Sequence, residues 1–170
     1  THEGYLPIGI PDVKDKRRKK AAEKHPVFLT GCTKKDFLQY KLELISTFMK
    51  FFFHNEELTK KKILILGTEE CMIQAIWLSS LLENSVSQST TRSPITVSST
   101  DGYLIQEGYS MVSNYGDYDV HLYNIPEDEY EAIILISDQG TDQFIKQIDW
   151  LRNTKHIPVF LFSETKQFMQ

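Results

Sequence analysis

The chain has 170 residues, of which 41% are hydrophobic and 12% aromatic, enough to bury the core of a single globular domain. Its 19 lysines and arginines stand against 23 aspartates and glutamates, and this net charge of -4 argues against nucleic-acid or bilayer binding through overall charge. The longest apolar runs, residues 51–53 and 63–66, are too short to span a membrane, and no signal segment opens the sequence. We therefore expect a cytoplasmic protein that does not bind membranes.

The two cysteines, Cys32 and Cys71, have neither the spacing nor the companions of metal ligands. A disulfide framework in a small secreted domain normally uses more cysteines, so we expect core thiols and no metal site. The first residue is a threonine instead of a methionine, which predicts a piece of a longer chain whose partner domain lies elsewhere.

Residues 1–25 are predicted to form an extended, basic arm, because two prolines and a glycine interrupt any regular pattern near its start. Residues 14–20 are almost all lysine or arginine. Such a run contacts nucleic acid or an acidic partner, or else it is a solvated helix face; since no aromatic is interleaved for base stacking, we favour the solvated face. Residues 26–170 are predicted to form one α/β domain, opening with a short strand over residues 26–32.

A long amphipathic helix is predicted from Lys34 to about His54, with Thr33 as its cap. Its apolar residues recur at three- and four-residue steps, which places them on one face. They are Phe37, Leu38, Leu42, Ile45, Phe48, Met49 and Phe52. An apolar stripe of this kind is typical of a core or an interface.

The next segment predicts the first half of a βαβ unit. Residues 63–66 form a continuous apolar run followed by Gly67, which suits a central parallel strand, and a helix is predicted to start near Thr68 or Glu69. Ligands of open α/β sheets bind beyond the carboxyl ends of such strands, so residues 67–70 are expected to face a site. This turn is neither a Walker loop nor a dinucleotide fingerprint, and we expect no cofactor.

A polar turn follows the second predicted strand, residues 86–90. Arg92 is suited to clamping a carboxylate or phosphate, with the hydroxyl groups of Thr90, Thr91 and Ser93 donating to other oxygens. Pro94 favours an extended Ser93 and fixes the orientation of the turn. The alternative interpretation is an ordinary salt bridge in a loop.

Residues 95–124 are rich in polar residues and show no helical period over most of their length, which is typical of a functional or mobile excursion. Five tyrosines in this tract are candidates for stacking on a base or sugar, or for covering a core. They are Tyr103, Tyr109, Tyr115, Tyr118 and Tyr123.

Further on, a buried strand over residues 132–137, a helix and a last strand over residues 157–162 complete the predicted fold. Pro158 lacks a backbone donor, so the last strand is predicted near an edge. The whole pattern predicts an α/β, Rossmann-like three-layer sandwich with a mostly parallel central sheet.

Several segments resemble the TRSP domain family, whose members lie C-terminal to a phosphoribosyltransferase-like domain in bacterial tellurite-resistance and stress operons. Residues 89–95 resemble the family signature. Residues 67–71 resemble its Gly-x-Gly-Glu-Phe turn but differ at Glu69 and Cys71. Residues 114–117 and 122–125 are similar to its Asn-Tyr-Gly-Asp and Leu-Tyr-Asn segments, and the likeness extends over about residues 26 to 140. Residues 138–142 are only weakly similar to the ribose-binding loop of type I phosphoribosyltransferases, and there we favour an acidic helix cap.

The resemblance implies an accessory domain that binds a phosphorylated or ribosylated small molecule in the biosynthesis of a nucleoside-like metabolite, next to a phosphoribosyltransferase-like partner domain. Glu70 is the candidate catalytic residue, as a general base or as a stabiliser of a developing oxocarbenium charge. The predicted ligand-binding residues are Gly67, Thr90, Thr91, Arg92, Ser93, Tyr115, Asp117 and Asn124. The alternative is a non-catalytic module that docks the transferase domain or another partner.

Overall fold

The computed structural model describes residues 33–113, 117–126, 128–137, 142–163 and 167–169. The predicted basic arm and the strand predicted over residues 26–32 lie outside these ranges, as do Cys32 and residues 138–141. Contacts along the chain define two units, Thr1–Phe37 and Leu38–Gln170, and nearly all of the described residues belong to the second.

The described part of the chain alternates helices and strands. The helices are α1 (Lys34–His54), α2 (Met72–Ser79) and α3 (Asp142–Lys155), with short 3₁₀ helices at Glu56–Lys60 and Glu69–Cys71. The strands are β1 (Ile63–Gly67), β2 (Ser85–Ser89), β3 (Gly108–Val112), β4 (Asp119–Tyr123), β5 (Ala132–Ser137), β6 (Val159–Ser163) and β7 (Gln167–Met169). None of the helices within the described ranges is both long enough and apolar enough to cross a bilayer.

The central sheet has the strand order β2-β1-β5-β6-β7 among the described residues. The first four strands are parallel, and β7 runs antiparallel to β6. The predicted α/β class with a mostly parallel sheet is therefore confirmed. The last strand predicted from the sequence, β6, lies near an edge of the sheet as expected, with β7 paired to its outer side. Pro158 precedes β6, so its missing donor removes no hydrogen bond from that strand's ladder.

The sheet is buried on both faces, which gives the domain three layers. All residues of β1 and β5 are buried, as their continuous apolar runs predict. Because strand side chains alternate, Ile63 and Ile65 pack with the buried residues of α1 and α2. Leu64 and Leu66 pack on the opposite face with β3, β4 and α3.

Helix α1 begins and ends where the sequence predicts. The hydroxyl of Thr33 accepts a hydrogen bond from the backbone N–H of Asp36 at 3.2 Å, and the Asp36 carboxylate accepts one from the N–H of Thr33 at 3.3 Å. The predicted apolar stripe, however, divides between two environments. Phe48 and Phe52 are buried, whereas Leu38, Leu42 and Met49 are exposed.

The polar tract over residues 95–124 contains two antiparallel strands, β3 and β4. The sequence predicted a functional or mobile excursion there and no strands. Met111, Val120 and Leu122 from this pair are buried against the sheet. The ammonium group of Lys155 in α3 is almost fully buried and contacts the hydroxyl of Tyr109 in β3. This contact holds β3 against α3. The tract is therefore a structural layer of the domain.

Candidate functional site

The carboxyl end of β1 lies where the strand order reverses. The chain leaves β1 to form β2 on one side and later forms β5 on the other side, and ligands of open α/β sheets bind in the crevice at such a point. Thr68 follows β1 and connects it to the end of β5, because its N–H and its hydroxyl both donate to the carbonyl of Ile136 at 3.0 Å. The turn after β1 is thus fixed against the end of β5.

Gly67 allows the chain to turn sharply at the end of β1. A Cβ atom at this position would lie 2.4 Å from the carbonyl oxygen of Cys71 and 3.1 Å from the Cβ of Ala75. The first of these neighbours is backbone and cannot rotate away. Gly67 therefore shapes the turn, and the carbonyl of Gly67 also accepts the N–H of Thr90 at 3.1 Å, which joins this turn to the one after β2.

Glu69 is the centre of a buried polar cluster. Its side chain is only 2% exposed, and its backbone has a φ of 46°, in the left-handed region that residues other than glycine adopt infrequently. The carboxylate accepts hydrogen bonds from the hydroxyl of Ser113 at 2.7 Å and from the phenol of Tyr118 at 2.9 Å. Ser113 follows β3 and Tyr118 precedes β4, so both residues lie against the turn after β1.

Arg92 brings a positive charge to the same cluster. Its Nη2 atom lies 3.4 Å from Oε2 of Glu69 and 3.8 Å from Oε1 of Glu70, and its guanidinium carbon lies 4.8 Å from the ring centre of Tyr118. The Arg92 side chain is nevertheless 53% exposed. It is therefore oriented on one side by a carboxylate and an aromatic ring while its other side faces solvent.

Tyr118 is neutral at physiological pH. Burial raises the pKa of its phenol above the ordinary value; the hydrogen bond with Ser113 acts in the opposite direction, and the Glu69 carboxylate raises the pKa further. The phenol therefore acts as a hydrogen-bond donor to Glu69 over the whole neutral range.

The hydroxyl groups of the polar turn after β2, residues 90–94, contribute to its shape. Thr90 is buried, and its Oγ1 accepts a hydrogen bond from the N–H of Glu69 at 2.8 Å. Thr91 pairs with His121 of β4 through two backbone hydrogen bonds of 2.9 and 2.7 Å, and its Oγ1 accepts the N–H of Ser93 at 3.1 Å. The carbonyl of Ser93 accepts a long hydrogen bond from the phenol of Tyr123, at 3.5 Å.

Asn124 lies away from the cluster, at the opposite end of β4 from Tyr118. The five residues of β4 lie between the two, which corresponds to a separation of about 20 Å at the usual rise per residue. The Asn124 side chain accepts the backbone N–H groups of Gln106 and Glu107 at 2.9 and 3.2 Å and donates to the carbonyl of Leu104 at 2.6 Å. These three bonds hold the loop before β3 in place.

The predicted site residues are thus only partly assembled. Gly67, Thr90 and Arg92 lie around Glu69, and Glu70 is beside Arg92 with a 61% exposed side chain. Thr91 and Ser93 complete the turn, while Asp117 is exposed next to Tyr118 in the sequence. Tyr115 lies outside the described residues.

Sequence reasoning missed the buried member of the acidic pair. It selected Glu70, whereas the carboxylate that Arg92, Ser113 and Tyr118 share belongs to Glu69. The sequence does not distinguish the two glutamates, because the left-handed φ of Glu69 decides which side chain turns inward. Ser113 gave no signal, and Tyr118 appeared only as one of five tyrosines.

Together the fold and the cluster define an open α/β domain with a polar site at the carboxyl edge of its sheet. A family model described as the TRSP domain, C-terminal to PRTase_2, matches residues 31–148, more than half of the chain. The chain belongs to the TRSP domain family, which confirms the resemblance found in the sequence. No curated protein and no solved structure matches it.

The backbone of Glu69 has a conformation that glycine adopts without steric cost and that a glutamate adopts infrequently. It is held by the bond from its N–H to Thr90 and by the bonds from Ser113 and Tyr118 to its carboxylate. Within the described ranges, no group of three or more histidine, cysteine, aspartate or glutamate side chains is arranged to hold a metal ion.

Proposed function

We propose that residues 26–170 form an accessory domain, associated with a phosphoribosyltransferase-type domain, that binds a phosphorylated ribosyl ligand at the carboxyl edge of its sheet. The observation that carries this proposal is the state of Arg92, a guanidinium that is oriented by Glu69 and Tyr118 yet half exposed. A pre-oriented guanidinium loses little conformational entropy when it pairs with a phosphate, and its planar fork matches phosphate oxygens.

Glu70 supplies the second contact in this proposal. Its exposed carboxylate lies 3.8 Å from Arg92, so a ligand whose phosphate pairs with Arg92 brings its ribose hydroxyls toward Glu70. Carboxylates accept hydrogen bonds from such hydroxyls, as the acidic residue of dinucleotide-binding folds does. In a catalytic domain the same carboxylate acts as general base or stabilises positive charge at the ribosyl carbon. Asp117, beside Tyr118, and Tyr115, which lies outside the described residues, complete the proposed binding residues.

The setting of this activity follows from the family. The TRSP domain is described as lying C-terminal to PRTase_2, which supports association with a transferase-type domain. We place the ligand in the biosynthesis of a nucleoside-like metabolite linked to tellurite and stress resistance, in the cytoplasm. In this proposal Thr90, Thr91 and Asn124 maintain the local structure instead of contacting the ligand, because their side chains bond to the backbone.

Calorimetry and thermal shift with ribose 5-phosphate, phosphoribosyl pyrophosphate, nucleotides, ribose and inorganic phosphate test the proposal. Binding to the folded state raises the unfolding free energy by about 2.7 kcal/mol at a ligand concentration of 100 times Kd. We expect ribose 5-phosphate to stabilise the wild type and to lose this effect in Arg92→Ala, each protein being compared with its own ligand-free form. Lys50→Ala, on the exposed side of α1, is the control and should retain the effect.

A second variant separates the two contacts. Glu70→Gln should weaken the binding of ribose 5-phosphate relative to that of inorganic phosphate, since the proposal assigns Glu70 to the sugar, whereas the loss of its charge beside Arg92 acts on both ligands alike. The proposal is overturned if none of these ligands stabilises the wild type, or if Arg92→Ala keeps the full stabilisation.

A further inference from the structure

Helix α1 carries a second apolar face that is not part of the core. Leu44, Phe48 and Phe52 are buried against the sheet. Four other apolar residues are exposed, namely Leu38, Leu42, Met49 and Phe53. At 3.6 residues per turn these four lie within about 60° of one another around the helix axis, so they form one continuous stripe.

The exposure of this stripe is large. Leu42 is 64% exposed and Phe53 is 75% exposed. At its carboxyl end the stripe borders a shallow groove of about 520 Å³, which Met49, Phe53 and Glu56 help to line. Single exposed apolar residues are ordinary on a protein surface, whereas a contiguous exposed stripe marks an interaction surface.

The same layer exposes further apolar side chains on its second helix. Helix α2 exposes Met72, Ile73 and Ile76. It lies beside the side of α1 that carries Tyr40, whose phenol accepts a hydrogen bond from the amide of Gln74 at 3.4 Å. At 3.6 residues per turn Tyr40 is about 140° or more from each residue of the stripe around the helix axis, so the stripe on α1 is a surface of its own.

We infer that this surface docks the PRTase_2-type domain next to which TRSP domains lie. The family match begins at residue 31 and α1 begins at Lys34, so α1 is the described element closest in sequence to the junction with a preceding domain. Lys50 and Glu56 help to line the groove at the carboxyl end of the stripe, whereas the ammonium of Lys41 lies 4.9 Å from the ring centre of Trp77 in α2. The matching surface of the transferase-type domain therefore has an apolar centre and a rim with charges of both signs, which fixes the orientation.

The docking surface is independent of the ligand site proposed at the carboxyl edge. The α1 residues belong to the helical layer on one face of the sheet, whereas Ser113 and Tyr118 belong to the hairpin on the other face. Ribose 5-phosphate binding and domain docking can consequently be lost separately.

The test mixes the 170-residue chain with a purified PRTase_2-type domain from the same source and measures Kd by calorimetry. The double variant Leu42→Ser/Phe53→Ser removes the two most exposed side chains of the stripe and should weaken Kd by about tenfold or more. Leu104→Ser is the matched control, because Leu104 is 86% exposed but lies in the loop before β3, and it should leave Kd unchanged. Urea unfolding of each variant verifies that the fold is retained.

Three results overturn the inference. The first is a wild-type chain that does not bind the transferase-type domain, and the second is a double variant that binds as tightly as the wild type. The third is a wild-type chain that forms a dimer in sedimentation and becomes a monomer with the double variant, since the stripe then pairs two copies of this chain.

Discussion

The hydroxyl oxygen of Thr90 accepts a hydrogen bond from the backbone N–H of Glu69 at 2.8 Å, and this contact joins the turn after β1 to the turn after β2. The two residues are far apart in the sequence, and one of them has left-handed backbone geometry. Such conformations persist only where the surrounding structure holds them in place. Thr90 is therefore a structural support for the conformation of Glu69.

Thr90→Val tests this support. Valine keeps the shape of threonine but removes the acceptor, and an unsatisfied, partly buried N–H costs about 1 to 3 kcal/mol. We expect a loss of that size in the unfolding free energy measured with urea. Thr91→Val is the control and should cost less, because the N–H of Ser93 that it leaves without an acceptor belongs to an exposed residue. Equal losses for the two variants would contradict this role of Thr90.

The two adjacent glutamates should respond differently to the same substitution. Glu69→Gln weakens the charge-assisted hydrogen bonds from Ser113 and Tyr118 and the ion pair with Arg92, so we expect destabilisation by about 1 to 3 kcal/mol. Glu70→Gln changes an exposed carboxylate and should stay within about 0.5 kcal/mol of the wild type. Urea titrations of both variants measure the difference, and a reversed order would show that the buried cluster does not stabilise the fold.

Gly67→Ala should be among the most destabilising small substitutions in the domain. The added methyl group meets the backbone of Cys71, and overpacking of this kind costs about 3 kcal/mol. Gly102→Ala is the comparison, because Gly102 has a φ of 80° but open space around it. Its cost is the conformational strain alone, about 1 kcal/mol. If Gly67→Ala proves the milder change, the close approach at the end of β1 is not rigid.

Alkaline pH should destabilise the domain partly through Tyr118. Burial raises the pKa of this phenol, so the folded state holds its proton more tightly than the unfolded state does. The resulting stability is fully present below the unfolded pKa, near pH 10, and is lost as the pH rises through the folded pKa. Tyr118→Phe should therefore lose less unfolding free energy than the wild type between about pH 9 and pH 11.

Tyr130 provides a second case for the same measurement. Burial also raises the pKa of its phenol, and Glu129 adds to the shift while Lys62 opposes it. Tyr130→Phe should reduce the alkaline loss as well, and the double variant should reduce it further. If the unfolding free energy of the wild type and of both single variants falls equally steeply with pH, these phenols are not the cause of the alkaline loss of stability.

The regular elements of the fold were predictable because their signals are local. Helix α1 follows from apolar periodicity and from the Thr33 cap, and β1 and β5 follow from short apolar runs bounded by polar residues. The pair β3 and β4 was not predicted, because its strands are polar on the outer side and depend on burial of Met111, Val120 and Leu122 against a sheet that is distant in sequence.

The sequence predicted which turns form the site, but it did not predict which side chain lies at its centre. The carboxyl end of β1 and the polar turn after β2 were both selected from the sequence, and they do meet through Thr90. Which of two adjacent glutamates points inward depends on the φ of Glu69, and a sequence without glycine at that position does not disclose it. Its partners Ser113 and Tyr118 lie 44 and 49 residues away, beyond any local pattern.

The carboxylate of Glu69 is surrounded by two hydroxyl donors and a guanidinium, the same environment that would hold a free anion. An anion that approaches Arg92 therefore competes with the carboxylate of Glu69, which is part of the chain and is always present. A small, singly charged ion gains little binding free energy by displacing the Glu69 carboxylate from Arg92. A ligand with further contacts outside the cluster gains enough from those contacts to displace it. Replacing Glu69 by glycine would remove the competitor, so residue 69 sets how readily this edge of the sheet accepts anions.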